Sequence, residues 1–385
     1  MSESYPIRDV FRKSLPDYLQ IHSVSTEQLR AANAITNCKT GSLGVNTSVC
    51  DECGHVEIHN SSCRNRHCPN CQAVLKELWI DQRRSEVLDA KYFHFVFTVP
   101  HDLNPLFLAN QKLLYSLLMQ AASQTLLTLA RDKRYLGATP GIILVLHTWG
   151  QNLSFHPHVH CIVSGAGLTR DLKLRKCGSG FFIPVRAASK MFRGKFMASL
   201  KAYRESGELM LPTSFNDPAV PVNWQCFVDG LYGTDWVAYT KETFNGYGNA
   251  INYLGRYTHR VAISNGRFLG VSSDTVTFRY RDYQDSNRLK EMTLSHEEFI
   301  RRFLMHILPK GFQKIRYYGF LSNPVKKKNL RILFRLQGGH TFIARFSKDT
   351  PKDELLAAIG IDVHTCPNCG KQTMRFTGSR FHFRS

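Results

Sequence analysis

Long hydrophobic runs, a secretory leader and internal repeats are all absent from this sequence. No stretch of 18 apolar residues occurs, so we expect no segment to span a membrane. The first 20 residues lack the apolar core of a signal peptide, which favours a cytoplasmic protein.

Acidic residues are scarce. The 385 residues include 30 Asp and Glu against 50 Lys and Arg, which gives a formal net charge of +20. A basic surface can simply be solvated, but an excess of this size is more often the footprint of a protein that binds a polyanion. Nucleic acid is the polyanion that we expect.

The order of predicted elements favours an α+β fold. A capping-box pattern from Ser25 to Gln28 marks a helix within residues 1–37. Apolar runs at 92–100 and 141–150 predict buried strands, and the amphipathic stretch 104–134 between them predicts a helix. The tight connection to the next strand favours a mainly antiparallel sheet.

Eleven cysteines are present, and six of them fall between residues 38 and 71. In a reducing compartment this clustering indicates metal binding rather than disulfides. The two CxxC pairs predict one structural zinc ion held by four thiolates, with no open coordination position. The predicted ligands are Cys50, Cys53, Cys68 and Cys71.

Other residues near these pairs have less certain roles. They could be structural residues, alternative ligands of the zinc ion or part of a second zinc site, and they are Cys38, Cys63, His55, His59 and His67. Four further residues could meet a DNA backbone, namely Arg64, Asn65, Arg66 and Lys76. The pair Cys366 and Cys369 is half a site. His364, His382 or a partner chain could complete it, or the pair could be unliganded.

The stretch SFHPHVHCIV, residues 154–163, ends in the apolar pattern of a strand. Side chains alternate along a strand, so His158 and His160 should share one face while Val159 points to the other. Two imidazoles on one face can share a divalent ion, although His-x-His alone is weak evidence.

The stretch NAINYLGRYTHRVAIS, residues 249–264, carries Tyr253 and Tyr257 four residues apart. On a helix both would project from one face. Such a pair is usually core packing, but here it is interleaved with Arg256, His259 and Arg260, which suits an anionic ligand. A phenolate that attacks a phosphodiester beside a metal ion would form a 5′-phosphotyrosine and release a 3′-hydroxyl.

Together, CxxC…SCRNRHCPNC, VLHTWGQNLSFHPHVHCIV and YLGRYTHRVAISN resemble the IS91-type rolling-circle transposases, which are HUH single-strand endonucleases. The resemblance implies a palm-like antiparallel sheet, Mg²⁺ or Mn²⁺ at the histidines, and nicking of single-stranded DNA at transposon ends. By position, His158 and His160 match the HUH motif, and Tyr253 and Tyr257 match the two nucleophiles. It also implies a nucleoid-associated bacterial protein.

The resemblance suggests three regions. Residues 1–90 would be an N-terminal helix and zinc-binding domain, and residues 91–265 the HUH catalytic domain. Residues 266–385 would be a basic C-terminal DNA-binding region. For the third metal ligand we choose His147, which reaches the histidine pair if it lies opposite His158 or His160 in a hairpin, and points away if it lies opposite Val159. Gln151, His156 and Asn249 are alternatives.

Single-stranded DNA at element ends and in the target is the expected partner, held by cations and aromatic platforms. The predicted DNA-binding residues are Arg256, Arg260, Lys326, Lys327 and Lys328. No Walker-type phosphate loop occurs, so a host helicase or replication would unwind the DNA. The alternatives are a plasmid replication initiator or relaxase, a metallohydrolase without a covalent intermediate, and a non-catalytic zinc-dependent regulator.

Overall fold

A computed structural model describes most of the chain. The described residues are 6–178, 183–215, 224–243, 255, 261–282, 285–339, 343–347 and 349–380. Tyr253, Tyr257, Arg256, Arg260 and Asn249 lie outside these ranges, and so does His382.

Among the described residues the main sheet has six strands, which are β3 (Tyr92–Thr98), β4 (Thr139–Trp149), β5 (Phe155–Leu168), β6 (Leu174–Lys176), β7 (Ala238–Thr243) and β11 (Ile315–Gly319). They pair antiparallel in the order β11-β4-β5-β3-β7, with β6 paired to β5. The alternating apolar residues of β3, β4 and β5 give the sheet two buried faces, so both faces must be covered.

Four helices cover one face of the main sheet and form the largest core, in which Phe95, Leu144 and Val159 are buried. They are α4 (Asn104–Ala109), α5 (Gln111–Arg131), α6 (Val185–Glu205) and α7 (Trp224–Gly233). By length and composition α5 could cross a membrane, but 67% of that stretch is buried inside the protein. It is therefore a core helix.

The opposite face of the main sheet, which we call the histidine face, packs against α3 (Ala73–Arg84) and α9 (Lys326–Leu336). Ile143 and Ile162 of the sheet contribute to this second core together with Ile80 of α3. Because Ile162 lies two residues after His160, this core is on the side of the sheet to which His160 points.

A second sheet contains β8 (Phe268–Val271), β9 (Thr275–Asp282) and β10 (Arg288–Ser295), in the order β10-β9-β8. With α8 (His296–Met305) it packs against α1 (Pro6–Ile21) and α2 (Thr26–Thr36). The capping box predicted at the start of α2 is present, since Ser25 and Gln28 exchange hydrogen bonds of 3.3 and 2.8 Å.

A third sheet, which we call the N-terminal sheet, joins distant parts of the chain. Its strands are β1 (Val45–Cys50), β2 (Val56–Asn60) and β12 (Met374–Arg380), and the short helix α10 (Lys352–Ala357) precedes β12. The strand order is β12-β1-β2, so the C-terminal strand lies beside the first strand of the chain.

The predicted fold class is confirmed: antiparallel sheets are flanked by helices, with a cysteine cluster near the N-terminus. The three regions with their residue ranges stay a prediction. Two strand pairs run across those ranges, because β12 pairs with β1 and β11 pairs with β4.

Candidate active site

Three histidines meet on the histidine face at the end of the β4–β5 hairpin. His147 lies directly opposite His158, and Val145 lies opposite His160. One ring nitrogen from each of His147, His158 and His160 lies within 4.8 Å of the others. The three predicted ligands are therefore close enough to share one metal ion.

The turn between β4 and β5 sets this register. Gly150 N–H donates to Ser154 O at 2.9 Å, Leu153 N–H donates to Gly150 O at 3.1 Å, and Leu153 adopts a left-handed φ of 63°. The pairing is irregular between His147 and Trp149. Because a shift of one residue reverses the face of a side chain, this local geometry places His147 with the histidine pair.

Strand alternation separates the histidines from the largest core as predicted. Val159 is fully buried among α4–α6, whereas His158 and His160 point to the other face. His147 and His160 are buried and His158 is half-buried. Burial of His147 and His160 lowers the local dielectric constant, which strengthens electrostatic interactions there.

Hydrogen bonds orient two of the three rings. His158 Nδ1 lies 2.7 Å from His156 O, and because a carbonyl only accepts, Nδ1 carries the hydrogen and Nε2 keeps its lone pair. His160 Nδ1 lies 2.9 Å from Nε2 of the buried His94 on β3. Metal-binding histidines commonly use their second nitrogen in this way.

His94 was missed by the sequence analysis. Its strand was predicted, but a single histidine in an apolar strand gives no sign of its partner on a neighbouring strand. The alternation of YFHFVFT was the available signal, since it places His94 on the face opposite Phe93 and Phe95.

The alternative third ligands are placed differently. The His156 ring lies beside that of His158, with centroids 5.1 Å apart and the planes tilted by 41°, but His156 is outside the group of three converging donors. Burial lowers the pKa of His156 to about 4, with a smaller contribution from nearby His101. The backbone carbonyl of Gln151 accepts a hydrogen bond from Arg267.

An aromatic and a basic side chain border the site. The His147 ring stacks on Trp149 with centroids 4.6 Å apart, and Lys314 Nζ lies 4.9 Å from the centroid of Trp149. Trp149 and Lys314 line a cavity of about 300 Å³ that Val261 and Ala262 also line. The cavity therefore joins the surroundings of His147 to residues that follow positions 253–257, which we call the tyrosine segment.

One described residue lies within the tyrosine segment. Gly255 is buried against α3, and a Cβ added to it would lie 2.6 Å from Ile80 Cγ1 and 3.7 Å from Lys76 Cε. Only a residue without a side chain permits so close an approach. Gly255 therefore lies beside the helix that covers the histidine face.

The cysteines form two clusters rather than one. The first cluster is Cys38, Cys63, Cys68 and Cys71, and the second is Cys50, Cys53, Cys366 and Cys369. In each cluster the four sulfurs lie within 4.8 Å of one another.

The predicted zinc set of Cys50, Cys53, Cys68 and Cys71 is therefore wrong, because the structure assigns its two CxxC pairs to different clusters. The spacing identified the pairs correctly, but which pairs meet depends on the tertiary fold. Of the suggested partners for Cys366 and Cys369, His364 instead pairs with Asp353 at 3.0 Å.

Hydrogen bonds lower the pKa of some thiols in each cluster, whereas the pKa of Cys63 and Cys68 lies above its usual value and that of Cys369 is raised to about 11. Hydrogen bonding by Cys63 and Cys68 lowers the pKa of Cys38 to about 7. Hydrogen bonding by Thr373 lowers the pKa of Cys50 to about 6, and the Asn368 amide lowers the pKa of Cys53. The thiolate is the form that binds zinc, and four sulfurs within 4.8 Å of one another in each cluster fit that metal.

Arg66 has a structural role instead of the suggested DNA contact. Its guanidinium donates to the carbonyls of Phe312, Pro309 and Leu308 at 2.6, 3.0 and 3.3 Å. It therefore ties the loop of the first cluster to the segment that leads into β11.

The three predicted lysines begin α9 but differ in their surroundings. Lys326 Nζ lies 2.7 Å from Glu86 Oε1 and 5.6 Å from the centroid of Tyr317. Lys327 and Lys328 are exposed. A DNA strand would therefore meet Lys327 and Lys328 more readily than Lys326.

Comparison with known proteins agrees with this architecture. Residues 141–329 match a family described as "Putative transposase", and residues 10–99 match one described as "Transposase zinc-binding domain". No solved structure matches the chain.

Two relatives cover most of the chain. A Sinorhizobium fredii protein named "Putative transposase y4qJ" is 41% identical over 380 residues, which is 97% of this chain and 95% of the relative. The transposase for insertion sequence element IS801 of Pseudomonas savastanoi pv. phaseolicola is 32% identical over 295 residues, which is 75% of this chain and 68% of the relative.

The fold, the thiol clusters and these matches define a transposase, an enzyme that cleaves and transfers DNA strands. The chain belongs to the IS91 family of transposases, with an N-terminal zinc-binding domain. DNA is therefore its substrate, and the cysteine clusters support bound Zn²⁺.

Proposed function

We propose that the enzyme nicks and rejoins single-stranded DNA at insertion-sequence ends by transesterification, through a covalent 5′-phosphotyrosine intermediate. The observation that carries this proposal is the convergence of His147, His158 and His160 on the face that α3 and Gly255 also occupy. This arrangement supports an HUH endonuclease site in which Tyr253 or Tyr257 would be the nucleophile.

His147, His158 and His160 would hold one Mg²⁺ or Mn²⁺ ion. When bound, the ion polarises the scissile phosphodiester and neutralises charge on its oxygens. Three imidazole nitrogens suit a transition-metal ion better than Mg²⁺, which prefers oxygen ligands and keeps several waters. We therefore favour Mn²⁺ over Mg²⁺ as the bound ion.

In the cleavage step the hydroxyl oxygen of Tyr253 or Tyr257 attacks phosphorus. The new bond joins tyrosine to the 5′-phosphate, the bond from phosphorus to the 3′-oxygen breaks, and that oxygen takes up a proton as the 3′-hydroxyl. A free 3′-hydroxyl then reverses the reaction on the same or another strand end. Bond energy is conserved, so no nucleotide hydrolysis is required.

Two tyrosines would allow two strand ends to be held in turn. The second phenol can attack a new end before the first link is resolved, as rolling-circle transposition requires. A phenol is a weak nucleophile until positive charge stabilises its phenolate. Lys76 on α3, with its Cε close to Gly255, could supply that charge.

Contacts within the tyrosine segment and just after it support this assignment. Gly255 lies against Ile80, which packs in the same core as Ile162, two residues from His160. Val261 and Ala262 line the cavity shared with Trp149, whose ring stacks on His147.

The DNA would be bound as a single strand by the basic surface, with Lys327 and Lys328 among the contacts and a host helicase providing unwinding. The enzyme would act in the cytoplasm at the bacterial nucleoid.

A labelled oligonucleotide carrying an element end tests the mechanism. Incubation with the protein and Mn²⁺, followed by a denaturing gel, should give a protein–DNA adduct that the Tyr253→Phe/Tyr257→Phe double variant does not form. Cleavage without any adduct would indicate a metallohydrolase, and binding without cleavage would indicate a regulator.

Histidine variants provide a second test. His158→Ala and His160→Ala should each abolish cleavage while leaving DNA binding largely intact. A replication initiator or relaxase would use the same residues, so substrates must be compared: cleavage of an origin-like sequence in preference to an element end would favour that alternative.

A further inference from the structure

We propose that Cys50, Cys53, Cys366 and Cys369 bind a second zinc ion, and that this ion latches residues 352–380 onto the N-terminal sheet. The match to a transposase zinc-binding domain spans residues 10–99, which includes the first pair of these cysteines but not the second. The inference does not depend on the proposed catalytic mechanism.

The sulfur positions fit one tetrahedral ion. Cys50 Sγ lies 3.7 Å from Cys369 Sγ, and Cys53 Sγ lies 3.7 Å from Cys366 Sγ. A zinc ion with Zn–S bonds of about 2.3 Å gives tetrahedron edges of about 3.8 Å. These separations are far longer than a disulfide bond of about 2.05 Å.

The two halves of the cluster have the same backbone form. In the first, CDECG, the N–H of Gly54 donates to Cys50 O at 2.9 Å; in the second, CPNCG, the N–H of Gly370 donates to Cys366 O at 2.9 Å. Both glycines have a left-handed φ, 67° and 72°. Two matching CxxCG turns facing each other are the arrangement of a zinc ribbon.

Strand pairing fixes the two halves beside each other. Cys50 lies opposite Met374 in the β1–β12 ladder, and Asp51 N–H donates to Thr373 O at 3.0 Å. The buried apolar cluster here contains only Cys50, Cys366 and Met374 among the described residues. A core this small stabilises a sheet only weakly, so we expect a bound metal ion to supply the remaining stability.

The chain just before the latched segment reaches the helix that covers the histidine face. Before α10, the backbone N–H of Phe346 donates to Asp81 Oδ2 on α3 at 2.8 Å, and both residues are buried. Asp81 is adjacent to Ile80, the residue that contacts Gly255. The second ion therefore holds in place a segment that supports α3 from outside.

Zinc content of the purified full-length protein tests the proposal. Elemental analysis should find two zinc ions per chain in the unmodified protein and one in Cys366→Ser/Cys369→Ser. Cys50→Ser/Cys53→Ser should also retain one zinc ion. The variant that combines all four substitutions should still contain one zinc ion. Cys226→Ser alters an exposed cysteine of α7 outside both clusters and should retain two.

Limited proteolysis tests the latch without reference to activity. Cleavage sites within 343–373 should become accessible in Cys366→Ser/Cys369→Ser, and in unmodified protein after a chelator has removed one ion, but not in Cys226→Ser. The chelator experiment covers the case in which the variant fails to fold. Two ions retained in Cys366→Ser/Cys369→Ser, or a single ion in the unmodified protein, would overturn the proposal.

Discussion

His94 and His160, on neighbouring strands of the main sheet, share a hydrogen bond of 2.9 Å between His94 Nε2 and His160 Nδ1. If Nε2 of His160 binds the metal, its Nδ1 carries a hydrogen that His94 accepts. Loss of such a partner typically weakens metal binding about 10–100-fold. We expect His94→Ala to lower Mn²⁺ affinity by about that factor, measured by calorimetry, and cleavage to recover at high Mn²⁺.

Two variants separate this positioning role from a general loss of stability. His94→Gln retains an acceptor near the Nε2 position and should restore part of the affinity. His59→Ala changes an exposed histidine of β2 and should have no effect. Unchanged Mn²⁺ affinity in folded His94→Ala would show that the hydrogen bond does not position the ligand.

The all-nitrogen donor set predicts a metal preference. Because Mg²⁺ favours oxygen ligands, half-maximal cleavage should require less Mn²⁺ than Mg²⁺. Titration of each metal into the oligonucleotide assay measures this directly. An equal or lower requirement for Mg²⁺ would indicate that oxygen ligands, such as the Gln151 side chain, complete the site.

Gly255 should tolerate a side chain poorly. A Cβ 2.6 Å from Ile80 Cγ1 is well inside the optimal carbon separation of about 3.5–4.0 Å, so the Ile80 side chain, the tyrosine segment or α3 must shift. We expect Gly255→Ala to slow adduct formation at least about tenfold while DNA binding persists. Adduct formation is measured on a denaturing gel under single-turnover conditions.

A compensating substitution makes this prediction specific. Ile80→Ala removes the atoms that a Cβ would meet, and the Ile80→Ala/Gly255→Ala double variant should regain part of the lost rate. Ile80→Ala alone should cost about 2–5 kcal/mol of stability, which a thermal melt would record. If the double variant loses as much of the adduct-formation rate as the two single variants combined, the two residues act independently.

The lysines at the start of α9 should behave differently from one another. Lys327→Ala/Lys328→Ala should weaken single-stranded DNA binding and reduce the slope of log affinity against log salt by about 1.4, because each phosphate that a lysine neutralises adds about 0.7 to that slope. Fluorescence anisotropy over a salt series measures both quantities.

Lys326→Ala is the matched comparison. Lys326 is already paired with the mostly buried Glu86, so its removal should lower the melting temperature and leave the salt slope nearly unchanged. A larger change in the salt slope for Lys326→Ala than for Lys327→Ala/Lys328→Ala would show that Lys326 is the main DNA contact instead.

Much of the fold could be predicted because its signals are local. The buried strands, the long helix between them and the capping box from Ser25 to Gln28 each depend on residues close in sequence. The amphipathic stretch 104–134 contains two helices, α4 and α5, which meet at Asn110. The hydrophobic pattern showed the apolar face of this stretch but not the break between the two helices at Asn110.

The histidine site was only partly predictable. Alternation placed His158 and His160 together, but the position of His147 depended on a register that the hairpin turn and the irregularity after His147 determine. Likewise each CxxC pair is visible in the sequence, but the contact of Cys53 with Cys366 joins residues 313 positions apart. Such contacts follow from tertiary structure alone.

The pairing of β1 with β12 also affects biosynthesis. β1 emerges from the ribosome long before residues 374–380 have been translated, so a nascent chain carries an unpaired strand edge and two unsatisfied thiols at Cys50 and Cys53. The helices and the main sheet can assemble during this interval, but the N-terminal sheet cannot close. Maturation of this transposase thus awaits a late-synthesised segment, and a prematurely terminated product would lack a completed N-terminal sheet.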